Sequence, residues 1–157
     1  MKKRFLASCT VAVLGFAAIQ TVASAQETPG IEGIWIGNVV TADCQSHLPV
    51  PNAVPFRALY MFGHGGSLTS EAAFFVPVPP RSSGLGTWRH TQGQTYASKF
   101  WFFRYKPDGS FLSFREVTQT IQLNGDQFTT FDKVEEYDAN NNLTFSGCVV
   151  SLETRAQ

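Results

Sequence analysis

Residues 94–137 read QTYASKFWFFRY-KPDG-SFLSFREVTQTIQL-NG-DQFTTFDKVEEY. Three runs rich in aromatic, valine, isoleucine and threonine residues are separated by Lys106-Pro107-Asp108-Gly109 and Asn124-Gly125. Asp-Gly and Asn-Gly favour positive φ and mark tight reversals between antiparallel strands. The same grammar extends in both directions. It predicts strands near 33–43, 56–63, 67–75, 85–91, 94–105, 110–123, 127–137 and 143–155. Outside the first 25 residues no stretch carries a helical period of useful length.

Eight consecutive antiparallel strands bury their edges best by closing, so the expected fold class is an all-β, eight-stranded antiparallel up-and-down β-barrel. Alternate connections of such a barrel lie at the same end. The short turns at His64-Gly65-Gly66, Gln92-Gly93 and Asn124-Gly125 therefore collect at one end. The longer Gln45–Pro55, Val76–Gly84, Lys106–Gly109 and Asp138–Asn142 segments ring the other. The expected shape is a cup.

The chain has 157 residues, with 12 basic and 12 acidic side chains, which excludes a strongly basic nucleic-acid binder. Charged residues are 15% and aromatics 13%, a balance suited to a packed core. Lys2, Lys3 and Arg4, an apolar run from Phe5 to Ile19 and Ala23-Ser24-Ala25 describe a secretory signal peptide over 1–25. It leaves 26–157 as a single barrel domain, exported to a periplasmic or extracellular location without stable membrane insertion. Removing the leader discards Cys9 and leaves Cys44 and Cys148, a pair read as a disulfide in an oxidising compartment. That bridge would join the end of the first strand to the early part of the eighth, which are neighbours only if the sheet closes.

Gly33-Ile34-Trp35 at the start of the first strand resembles the Gly-x-Trp signature of the calycins, the lipocalin and avidin group. The resemblance implies a Trp35 packed at the closed base and covered by Arg155 from the last strand. If Cys44 lies opposite Cys148, antiparallel register places Trp35 near residue 157, close to Arg155. Thr130-Phe131-Asp132 is a loose echo of the lipocalin Thr-Asp-Tyr segment, and the usual C-terminal helix is missing. Chain length is also similar to the allene oxide cyclase and dirigent barrels, whose members steer reactive intermediates.

Strand five divides into Tyr96, Ser98, Phe100, Phe102 and Arg104 on one face and Ala97, Lys99, Trp101, Phe103 and Tyr105 on the other. Lys99 assigns the second face to solvent. Strand two offers Phe56, Ala58, Tyr60 and Phe62. Strand six offers either Phe114, Glu116 and Thr118 or Arg115, Val117 and Gln119, and alternation alone does not choose. The expected ligand-binding set is Phe56, Tyr60, Tyr96, Phe100, Phe102, Arg104, Phe114 and Glu116. They would hold a small apolar molecule whose polar end meets Arg104 or Glu116. A second reading is a cofactor-independent isomerase or cyclase, with Glu116, Arg104 and Tyr60 as candidate catalytic groups. A third is an interaction module with a filled core. Outward Trp101 and Phe103 suggest a homo-oligomer.

Other chemistry lacks its residues. His47, His64 and His90 have no metal-pair spacing, and Asp138, Asn140 and Asn142 open a calcium-type loop that lacks its Gly and Glu. Neither a metal nor a cofactor is expected. There is no Gly-x-Ser-x-Gly elbow.

Overall fold

The computed structural model describes residues 30–74 and 79–157, so the expected leader lies outside the described residues. Eight strands follow in chain order: β1 (Gly33–Ala42), β2 (Phe56–Gly63), β3 (Ser67–Ala73), β4 (Gly84–Gln92), β5 (Thr95–Tyr105), β6 (Phe111–Asn124), β7 (Gln127–Tyr137) and β8 (Leu143–Arg155). Each pairs antiparallel with the next, and β8 returns to β1 to close an up-and-down barrel. Gly125 sits at φ 60° and Gly93 at φ 53°, the left-handed conformations that the Asn-Gly and Gln-Gly reversals require.

The closed base is an aromatic plug. Trp35 is fully buried, stands 4.9 Å from the Phe128 ring, and donates its indole N–H to the Ile31 carbonyl at 2.7 Å. The Arg155 guanidinium lies 4.1 Å above the Trp35 ring. It also donates to the Glu32 and Gly30 carbonyls and pairs with Asp126. The base thus has the Trp–Arg cover that the Gly33-Ile34-Trp35 resemblance implies. Phe62, Ile121 and Leu123 complete this lower core.

Closure shifts the expected register slightly. Cys148 has Ala42, not Cys44, as its strand partner, and Trp35 lies directly opposite Arg155. Cys44 follows the end of β1, and the Cys44–Cys148 disulfide ties that departing segment to β8. The third strand ends at Ala73 rather than at residue 75.

Strand six resolves its two parities through its neighbours. Val117 pairs with inward Phe100 on β5 and with buried Val134 on β7. This turns Arg115, Val117 and Gln119 inward and sends Phe114, Glu116 and Thr118 outward. On that outer wall Lys99 pairs with Glu116 at 2.6 Å, and Trp101 donates to the same carboxylate at 2.9 Å. Trp101 and Phe103 are exposed.

The bridge closes a span of 104 residues, which in the chain-entropy picture is about 4–5 kcal/mol of stability. Replacing Cys44 and Cys148 together by Ser should lower the unfolding free energy by a large fraction of that amount, read as a lower urea midpoint, while the far-ultraviolet β signal is retained. An unchanged midpoint would show that the β1–β8 seam holds without it.

Candidate functional site

Above the aromatic plug the barrel is not filled. A cavity of about 290 Å³ opens towards the long loops. That is room for roughly ten water-sized groups, at the small end of ligand sites. Its walls are mostly apolar, with Phe56, Tyr60, Phe74, Phe100 and Phe102 on one side and Val39, Val117, Val134 and Val149 on the other. The polar lining includes Arg81 and Arg115, with Asp132 buried among the strands.

Of the residues expected from sequence, Phe56, Tyr60, Phe100 and Phe102 line this cavity together. Arg104 is inward but stands beside it, its guanidinium engaged with Glu136 of β7. Tyr96 is inward too, yet it belongs to the base, beside Trp88 and His90. Phe114 and Glu116 are not brought to the site. Phe114 stacks on Tyr137 at 5.1 Å, and Glu116 is held on the outer wall by Lys99 and Trp101. The inward parity of β6 gives the cavity Arg115 instead of Glu116.

The mouth is cationic. Glu136 accepts hydrogen bonds from Ser113 and Arg115 and pairs with both Arg104 and Arg115. Burial works against its charge, but these bonds hold its carboxyl below the usual range. One carboxylate thus faces two guanidinium groups. Arg81 adds a third, reaching in from the connection between β3 and β4. It spends donors on the Ser70 carbonyl at 2.9 Å and the Ser82 carbonyl at 3.0 Å, and lies 3.9 Å over the Phe102 ring. Among the described residues no ion pair includes Arg81. Burial lowers its pKa from the ordinary value.

Between mouth and base runs a polar layer. Gln119 accepts from Ser98 and donates to Asp132 Oδ2 at 3.0 Å, with the Tyr60 hydroxyl oxygen 3.5 Å from the same amide nitrogen. Thr130 and Ser151 bond to each other at 2.9 Å. Among the described residues Asp132 Oδ1 and both Glu153 oxygens have no hydrogen-bond partner. Glu153 is fully buried in a notch left by Gly37, where a Cβ would stand 2.0 Å from the Leu152 carbonyl and 2.4 Å from Glu153 Oε2. Desolvation pushes the Asp132 carboxyl up to about 7 and that of Glu153 up to about 8. The Tyr60 phenol is also raised, first by burial and then by these two acids.

Arg81, Asp132 and Glu153 escape a reading by alternation, and Gln119 stands only on one of the two faces that alternation leaves open for strand six. Arg81 is on a connection, and polar residues on an alternating strand are normally assigned to solvent. The Asn124-Gly125 reversal held a usable signal, since counting back from it pairs Gln119 with Asp132. The three histidines stand apart. His47 stacks on Phe131, His64 meets Glu32, and His90 bonds the Gly93 carbonyl. Among the described residues no group of three or more His, Cys, Asp or Glu is placed to hold a metal ion. No known protein family matches the chain, and no curated protein matches it in sequence.

Both buried acids carry folded-state pKa values above their unfolded ones, so the native state binds the extra protons between about pH 4 and 8. Their contribution is full below pH 4 and is lost as pH rises through 7 to 8. Glu153→Gln should therefore stabilise the fold by on the order of 2 kcal/mol at pH 9 relative to its effect at pH 4. Thermal melts of the two proteins at both pH values check it, and an effect independent of pH would remove the buried-proton assignment.

Proposed function

We propose that the protein is an exported carrier or receptor for a small amphiphile, with an apolar body held among the cup's aromatics and an anionic or acceptor end at Arg81. The observation that carries this reading is the pairing of an open apolar chamber with a half-buried guanidinium that meets no carboxylate among the described residues. An unmatched cation in a low-dielectric wall is stabilised by any anion that enters. The neighbouring Arg104–Arg115–Glu136 cluster adds a further excess of positive charge, so anionic ends are favoured over cationic ones.

A calycin-type architecture fits this role, since its barrels hold ligands in the same chamber. Export is supported by the Cys44–Cys148 bridge and the leader-like start. Among the described residues no helix is long and apolar enough to cross a membrane. The outer wall bears Arg57, Glu71, Lys99, Lys133 and Glu135, a poor match to the apolar band of a lipid-embedded barrel. Self-association through Trp101 and Phe103 is a separate proposal, resting on their exposure.

Displacement of the fluorophore 1-anilinonaphthalene-8-sulfonate tests the carrier reading. Decanoate should displace it at about tenfold lower concentration than decanol, the scale of one charge-assisted hydrogen bond. Arg81→Met, which keeps the apolar stem, should erase that preference and leave decanol unaffected. No saturable fluorophore binding, or a carboxylate preference that survives Arg81→Met, would sink the assignment.

A further inference from the structure

The cavity floor has features that holding an apolar molecule does not require. Asp132 is almost fully buried, belongs to the chamber lining, and has one oxygen, Oδ1, with no partner. Its other oxygen is fixed by the Gln119 amide at 3.0 Å. Tyr60, also in the lining, has its hydroxyl oxygen 3.5 Å from the same amide nitrogen, and among the described residues no acceptor takes its proton. One amide therefore sets the spacing of a partnerless carboxylate oxygen and an uncommitted O–H donor. A purely structural polar layer would be expected to satisfy itself.

We infer that this floor is a proton-transfer site, at which Asp132 removes a proton from the carbon beside a carbonyl while Tyr60 donates to the carbonyl oxygen. The inference rests on the carrier reading above, because the substrate must first occupy the cup. The substrate class is a small apolar ketone with a carboxylate end for Arg81. The carbon–hydrogen bond breaks towards Asp132 Oδ1, its electron pair becomes the enolate double bond, and the charge gathers on the oxygen facing Tyr60. Returning the proton to the same carbon exchanges it with solvent. Returning it to the far end of a conjugated system moves a double bond, with no oxidant, reductant or cofactor consumed. A base near neutrality in a dry wall is suited to this work, and burial holds the Asp132 carboxyl near there. Around Asp132 stand Tyr60 of β2, Arg115 of β6 and Arg81 at the mouth, with Glu153 of β8 near enough to feel its charge, while burial and the Gln119 and Thr130 side chains set its own titration.

The probe is 4-oxo-4-phenylbutanoate, which joins an aromatic body, a ketone with adjacent hydrogens and a carboxylate. Binding is read by fluorophore displacement, and chemistry by proton nuclear magnetic resonance as the signal beside the ketone disappears in deuterium oxide. The wild-type chain should accelerate exchange at least 100-fold over buffer, with a rate that climbs as pH passes about 7, where the carboxylate form takes over. Asp132→Asn should lose at least 100-fold and Tyr60→Phe about tenfold, each binding the probe within about threefold of wild type. Gln119 acts as a positioning residue. Gln119→Leu removes the bond that favours the charged Asp132, so the midpoint of the pH profile should move upward with binding retained. Melting curves confirm that each variant is folded, and removing a buried charge makes Asp132→Asn the safest of them. Displacement without exchange, or exchange undiminished in a folded Asp132→Asn, overturns the inference and leaves the carrier reading standing. Failure of the probe to displace a fluorophore that decanoate does displace overturns the inference alone, and failure of both to displace it overturns the carrier reading as well.

Discussion

Closing an eight-stranded sheet on itself removes its free edges and commits every side chain to one of two faces. In this chain the seam is β1 on β8, with Trp35 opposite Arg155 at one end and the Cys44–Cys148 bridge beyond Ala42 at the other. Everything inside follows from that alignment. Trp35, Phe62 and Phe128 come from successive levels of β1, β2 and β7 and meet at the base, and Glu153 finds its notch because Gly37 is its cross-seam partner. A slip of one residue at the seam would turn Glu153 out and bring Leu152 or Thr154 in.

The interior is layered by chemistry. Aromatic packing fills the lower third, a hydrogen-bonded belt of Ser98, Gln119, Thr130, Asp132 and Ser151 crosses the middle, and an apolar chamber with a cationic rim lies on top. Burying two acids with unpartnered oxygens is expensive for a fold that could have used valine or leucine at those positions. The penalty is moderated because both groups can hold their protons. The same choice leaves a wall that can accept or release a proton, which an all-hydrocarbon barrel cannot do.

Much of the architecture was legible in the sequence. The strand count, the reversals at Asn124-Gly125 and Gln92-Gly93, the barrel closure, the Cys44–Cys148 pair and the Trp35–Arg155 contact follow from turn chemistry, alternation and a three-residue signature. The aromatic half of the cavity, Phe56, Tyr60, Phe100 and Phe102, was legible for the same reason. The polar half was not. Between Phe114 and Gln119 strand six carries one apolar and two polar residues on each face, so that window alone leaves its orientation to what Phe100 and Val134 present across the ladder. Further along, Ile121 and Leu123 on one face against Thr120 and Gln122 on the other do carry the inward parity. Arg81 is half-buried on a connection, where no period operates. Asp132 and Glu153 invert the rule that polar residues on alternating strands face water, and such inversions tend to mark sites with a task.

The two ends of the described barrel meet at the base, where Arg155 grips the carbonyls of Gly30 and Glu32. Anything joined through those ends hangs from the sealed side. Tethered to a bead, a neighbouring domain or a sensor surface by either end, the barrel would present its open rim away from the attachment, with the entrance clear for diffusion.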